Sequence, residues 1–277
     1  VTELDYSHAI LLGLIQAITE FLPISSSGHL ALTQRLLRFN ANSPQMLLFD
    51  VATHVGTLVA VLLVFRCQIA RFARRLRAES GSSWGGDRVA WRIVMLGVCA
   101  SVPTAWIGLQ FKEHFEAAFE KPVWISAGLS VTGTLLMLTV LVPRGRVGWK
   151  RFSWLGAALV GVGQGLAILP GVSRSGTTIC VASFFGLRRR WAAQFSFLIA
   201  IPAIIGAAAI KLKDTLELPP DQLADMPWGP ILAGTAVAIV AGYLALTALL
   251  YVVRRAKLHY FALYCWLLAA VVLILLS

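Results

Sequence analysis

Three ionisable side chains lie deep in apolar sequence: Glu20 and His29 in the stretch 7–37, and Arg174 in the stretch 154–187. An arginine at the centre of a membrane helix costs roughly 2.5–3.5 kcal/mol on insertion scales, so it persists there only with a partner or a task. A carboxylate, an imidazole and a guanidinium together can move a proton and neutralise charge on a transferring phosphoryl group. Six hydroxyls accompany them, on Ser25, Ser26, Ser27, Ser173, Ser175 and Thr177. Capping a helix start employs one or two of these and has no need of all six. The blander readings are a Glu20–Arg174 salt bridge that locks two segments together, and a His29 that caps or packs. Asp50 and His54 open the next apolar run and divide evenly between a supporting and a structural role.

The elements that must position these groups follow from composition. Of 277 residues, 58% are hydrophobic and 13% charged, about half the charged share of an ordinary soluble domain, and mean hydropathy is +0.76. A soluble enzyme, a disordered chain and a disulfide-stapled secreted module are excluded. The four cysteines, Cys67, Cys99, Cys180 and Cys265, show no CxxC spacing and read as small apolar fillers. A net charge of +11 would suggest nucleic acid in a soluble protein. Here the basic residues gather in short loops between apolar runs, so they report orientation in a membrane and not a nucleic-acid partner.

Six runs predict complete crossings: 47–65, 89–111, 123–142, 194–210, 228–250 and 258–276. Trp84, Trp91, Trp124, Trp149, Trp154, Trp191 and Trp228 fall near their ends, as interfacial anchors do. The stretches 7–37 and 154–187 differ, each being broken near its middle by proline, glycine and clustered serines. Their arms of about 12 to 16 residues make roughly 18–24 Å of helix, short of a hydrocarbon core about 30 Å thick. Both read as re-entrant hairpins. The basic segments 66–92 (Arg66, Arg71, Arg74, Arg75, Arg77, Arg88 and Arg92 against Glu79 and Asp87), 144–151, 188–190 and 254–257 then all fall on the cytoplasmic side, and 112–122 and 211–227 fall outside.

The broken stretches match at an offset of 148 residues: Gly13-Leu14-Ile15-Gln16 with Gly161-Val162-Gly163-Gln164, and Ser25-Ser26-Ser27-Gly28 with Ser173-Arg174-Ser175-Gly176. Each half, about 7–142 and 154–276 of a single domain spanning 1–277, is one hairpin followed by three crossings. Three is odd, so the second half must be inverted. The expected fold is an all-α polytopic membrane protein with six membrane-crossing helices and two re-entrant helical hairpins in an inverted-topology repeat, the hairpin tips (23–29 and 170–178) converging near the midplane. Helices restarting near Ser25–Gly28 and Ser173–Thr177 present free N–H groups and positive dipole ends. With the Arg174 guanidinium they make a phosphate-sized anion site. Beside a bound phosphate, Glu20 would need a proton or a divalent cation, and Mg²⁺ takes one or two carboxylates plus phosphate oxygens. His29 can act as nucleophile or acid/base, and Ser26 is a hydroxyl such a base can activate.

The segments QAITEFLPISSSGHL (16–30) and PGVSRSGTT (170–178) resemble the two signature motifs of the undecaprenyl pyrophosphate phosphatases of the bacitracin-resistance type, and the span pattern extends the likeness over essentially the whole chain. The resemblance implies a multi-pass enzyme of the bacterial cytoplasmic membrane, open to the periplasm, that removes the terminal phosphate of undecaprenyl pyrophosphate and returns the carrier lipid to cell-wall synthesis. It places Glu20 at the metal, Ser26 and His29 in nucleophilic and acid/base work, and Arg174 on the pyrophosphate. Ser25, Ser27, Gly28, Ser173, Ser175, Gly176 and Thr178 become its substrate-binding surround. Gln16 stands where many members carry glutamate; its amide offers a cation an oxygen but no charge. The implied cofactor is a divalent cation, Mg²⁺ or Ca²⁺; the partners are a polyprenyl diphosphate and the bilayer, and a homodimer is compatible. Whether His29 or Ser26 attacks phosphorus stays open. So does a second reading, an inverted-repeat transporter or flippase for an anionic substrate.

Overall fold

The computed structural model describes residues 3–41, 43–77, 87–142, 145–216, 226–255 and 257–276. Within these the chain forms eleven helices: α1 (Tyr6–Phe21), α2 (Ser26–Leu36), α3 (Pro44–Arg77), α4 (Asp87–Gln110), α5 (Lys112–Phe119), α6 (Pro122–Leu138), α7 (Trp154–Leu166), α8 (Arg174–Phe184), α9 (Arg189–Leu216), α10 (Trp228–Arg254) and α11 (Tyr260–Leu276). Both broken stretches fold as paired short helices, α1 on α2 and α7 on α8. Pro23 and the Pro170–Gly171 pair interrupt them as the sequence predicts, since proline supplies no N–H to continue a helix and Gly171, at φ +86°, adopts the left-handed backbone that lacks a Cβ penalty.

Four helices are long and apolar enough to cross a bilayer: Pro44–Arg75, Arg88–Gln110, Arg189–Ile210 and Trp228–Val253. The other two expected crossings, α6 and α11, have 17 residues each, the lower limit for a span, and pack against each other. Three expectations need correction. The supposed loop from 66 begins as about three further turns of α3, which carry Arg66, Arg71, Arg74 and Arg75 exposed on a helical extension. The segment after α4 is not a loop but α5, bent 104° from α6. Trp149 is 9% exposed and packs edge-on against Trp191 and Phe195, so it serves the core and not the interface. By contrast Trp91, Trp124, Trp154 and Trp228 are exposed. Glu79, Trp84 and Arg144 lie outside the described residues.

Packing pairs the halves in a reciprocal way. α1 lies on α10 and α7 on α4, while α3 meets α9 and α6 meets α11. Gly13 and Gly161, matched at the 148-residue offset, hold equivalent posts: a Cβ on Gly13 would overlap the carbonyl oxygen of Gly234, and one on Gly161 that of Ala100. Such backbone-to-backbone approaches are how membrane helices gain contact without a hydrophobic drive between them. Gly13→Ala should therefore lower the thermal stability of the detergent-solubilised protein by about 1–3 kcal/mol, the usual cost of overpacking. An unshifted melting temperature would show that α1 and α10 part freely.

The tips touch reciprocally too. A Cβ on Gly28 would stand 3.1 Å from the Cα of Gly171, and one on Gly176 would stand 3.3 Å from the Cβ of Pro23. These two contacts exchange under the same offset. The second tip is held by α6, where Thr132 donates to the carbonyl of Gly171 at 2.9 Å and accepts from the amide of Ser173 at 2.8 Å.

Candidate active site

Both hairpins restart through the same local chemistry. Ser25 caps α2 by accepting from the amide of Gly28 at 3.2 Å, and Ser173 caps α8 by accepting from that of Gly176 at 3.1 Å. Each cap also meets the hydroxyl two residues on, Ser27 at 3.2 Å and Ser175 at 3.3 Å. The amides of Ser26 and Ser27, and of Arg174 and Ser175, are left without carbonyls in their own helices. Ser25 itself sits at φ +70°, an uncommon backbone for a residue with a Cβ and one that collects at functional sites. Its carbonyl accepts both the backbone N–H and the side chain of His29.

Glu20 lies on the last turn of α1, four residues after Gln16 and so on the same face. It is 7% exposed, and a carboxylate taken out of water demands partners. Oε1 is ion-paired and hydrogen-bonded to the Arg174 guanidinium across the seam between the tips. Oε2 accepts from the Ser26 hydroxyl at 2.5 Å and from the Gln16 amide nitrogen at 3.2 Å, and faces His54 Nε2 at 3.8 Å. The first hairpin thus brings the acid and a hydroxyl, the second brings the cation, and Ser175 adds a hydrogen bond to the carbonyl of Phe21 at 3.1 Å.

Of the expected residues, Ser26, Arg174 and Gln16 each bond to Glu20. His29 is held elsewhere. Its Nδ1 donates to the Ser25 carbonyl at 2.7 Å, its Nε2 accepts from the Tyr264 hydroxyl at 2.7 Å, and the two rings stack with centroids 5.7 Å apart. Thr178 is fully buried and spends its hydroxyl on the carbonyl of Arg174 and on Ser196. Ser25, Ser173 and Ser175 are committed to caps and to the seam, leaving Ser26 and Ser27 as the partly exposed hydroxyls of the first tip. Two side chains at these groups had weak or no sequence signal. Tyr264 lies 235 residues from His29, and His54 was legible only as a polar residue opening an apolar run.

The donors around Glu20 suit a divalent cation. Gln16 is fully buried and its Oε1 has no hydrogen-bond partner, an orphan acceptor of the kind a cation satisfies. Among the described residues no group of three or more His, Cys, Asp or Glu gathers closely enough to hold a metal. A cation here would draw on the Gln16 amide oxygen beside the Glu20 carboxylate, and Mg²⁺ is a cation that takes one or two carboxylates together with phosphate oxygens.

The fold and this site define a polytopic helical membrane protein in which a carboxylate, a hydroxyl and a guanidinium meet where two helices break. The chain belongs to the bacitracin resistance protein BacA family, whose sequence profile matches residues 9–271. It is 41% identical to the undecaprenyl-diphosphatase of Carboxydothermus hydrogenoformans, over 97% of this chain and 96% of that one. It is likewise 41% identical to that of Desulfatibacillum aliphaticivorans over 98% and 99% of the two chains, and 42% identical to that of Desulfosudis oleivorans over 96% and 97%. Family membership, expected from the two motifs, is established.

Proposed function

We propose that this protein hydrolyses undecaprenyl diphosphate to undecaprenyl phosphate and inorganic phosphate. The observation that carries the reading is the Ser26–Glu20–Arg174 chain, a hydroxyl on one carboxylate oxygen and a guanidinium on the other, at the start of two helices. Relatives along nearly the whole chain are named for this activity. A transporter needs the guanidinium and the helix starts but has no use for a hydroxyl held on a buried base.

The chemistry runs on the chain's own groups. The terminal phosphate lies against Arg174 and the free amides of Ser26, Ser27 and Ser175, which hold its oxygens and stabilise the charge spread over them in the transition state. Ser26 Oγ attacks the terminal phosphorus while its proton passes to Glu20 Oε2. The bond from that phosphorus to the bridging oxygen breaks, and the bridging oxygen leaves with its electron pair on undecaprenyl phosphate. Glu20 passes that proton to the departing bridging oxygen. The freed carboxylate then deprotonates a water, whose oxygen bonds to phosphorus as the bond to Ser26 Oγ breaks, Oγ taking the proton back from Glu20 and inorganic phosphate leaving. Glu20 Oε2 and Gln16 Oε1 would hold the divalent cation, Mg²⁺ or Ca²⁺, which when bound supplies positive charge to the diphosphate oxygens. The polyprenyl tail needs lipid-facing helix surface beside a polar pocket, and tips lodged within a bilayer provide both. The two hairpins enter from opposite leaflets of the bacterial cytoplasmic membrane as an inverted repeat, a reading supported by the reciprocal tip contacts, and the pocket opens to the periplasm.

Purified protein in lipid nanodiscs should release one phosphate per undecaprenyl diphosphate, lose that activity to a chelator and regain it with Mg²⁺. Lipid crossing the bilayer with no phosphate released would instead establish a carrier.

A further inference from the structure

His54 has the geometry of a metal ligand that no ligand yet explains. Its Nδ1 lies 2.7 Å from the carbonyl of Asp50, one turn earlier on α3. A carbonyl only accepts, so Nδ1 carries a proton, and in the neutral ring, the form that binds a metal, Nε2 carries the lone pair. A backbone carbonyl fixing one ring nitrogen while the other is presented bare is the arrangement that supports histidine at metals. That bare nitrogen faces Glu20 Oε2 at 3.8 Å, beyond hydrogen-bond reach. The span is instead one that two ligands on a shared ion can take, each bond being about 2.0–2.2 Å. The His54 side chain is 35% exposed, which leaves an ion a way in.

Gln16 completes the set. With its nitrogen toward Glu20 at 3.2 Å, its buried oxygen is orphaned. Turning the amide by half a revolution sets oxygen against carboxylate oxygen at that distance, a repulsive contact unless a cation lies between them. Which way an amide points is an assignment made from its partners, and a cation reverses it. Oε1 of Glu20 stays with Arg174, and Oε2 keeps Ser26 on one lone pair while offering another.

We propose that His54 Nε2, Glu20 Oε2 and Gln16 Oε1 form a mixed nitrogen–oxygen cradle for the divalent cation, which therefore favours a borderline first-row ion such as Mn²⁺ or Zn²⁺ over Mg²⁺ and Ca²⁺. The imidazole compensates for the absent carboxylate at position 16, because nitrogen ligands shift preference toward transition ions. This inference rests on the hydrolase reading for its cation but not for its test.

The probe is Mn²⁺ added to the tag-free full chain in nanodiscs, followed by electron paramagnetic resonance. Electron spin-echo modulation should show nitrogen-14 coupled to bound Mn²⁺. His54→Gln should remove that modulation and weaken Mn²⁺ binding about tenfold or more, while His114→Gln on α5 should change neither. Absence of Mn²⁺ binding at millimolar concentration, binding without nitrogen modulation in the unsubstituted chain, or modulation surviving in His54→Gln would each overturn the cradle. The unsubstituted chain decides two of these outcomes even if a variant misfolds. Phosphate release measured on the same samples separates the two ideas. Release without nitrogen coupling sinks the cradle alone, and coupling without release sinks the hydrolase alone.

Discussion

Arg174→Ala is expected to cut phosphate release by about a thousandfold or more, the scale on which a guanidinium neutralises a transferring phosphoryl group. The substitution also strands Glu20, which is 7% exposed, and breaking a buried pair by removing one partner destabilises by about 3–5 kcal/mol. Lost activity alone would thus confuse a chemical role with a structural one. The double variant Glu20→Gln/Arg174→Met separates stability from chemistry for the pair taken together. With neither charge left unpaired, the melting temperature should return close to that of the parent, since replacing both members of a buried pair is often neutral. Release should stay abolished. A double variant that both folds and hydrolyses would reduce the ion pair to a clasp between hairpins and remove Arg174 from the chemistry.

Ser26→Ala carries the second large effect. Ser26 Oγ touches Glu20 Oε2 at 2.5 Å, whereas both ring nitrogens of His29 are engaged by Ser25 and Tyr264. Removing the hydroxyl should lower release about a thousandfold, within the range attributable to an activated nucleophile and its base. It should cost little stability, because the carboxylate keeps Arg174 and Gln16. Acid quenching of the parent with terminally labelled lipid diphosphate should leave acid-stable label on Ser26. Acid-labile label that persists in Ser26→Ala would transfer the attack to His29.

The hairpins were legible in the sequence because proline, glycine and clustered serine interrupt apolar stretches at matching positions, and each interruption has one local consequence. Ser25 and Ser173 had to cap something, and they cap the same turn in both halves. Which imidazole meets the carboxylate was not legible. His29 shares a hairpin with Glu20, yet His54 reaches it, because the choice depends on how α3 is rotated against α1 and not on spacing along either. Tyr264 enters from the last helix through tertiary packing alone. The supporting hydroxyls are ambiguous for another reason: a serine at a helix start signals capping and ligand binding equally, and Thr178 bonds the carbonyl of Arg174 and Ser196. The kink into α5 escaped notice because its eight residues are too few for an apolar period to declare itself.

The seam where Gly28 meets Gly171 and Gly176 meets Pro23 relates the halves as near-equals, yet their reactive groups are not interchangeable. Counting 148 residues onward, Glu20 becomes Ile168 and Ser26 becomes Arg174. Rotated onto itself, the scaffold would set an aliphatic chain against a serine where it now sets a carboxylate against a guanidinium. The matched helix breaks occur twice, but only one carboxylate–guanidinium pair joins them. The reactive chemistry is consequently one-handed, a single carboxylate–guanidinium pair with no counterpart in the other half.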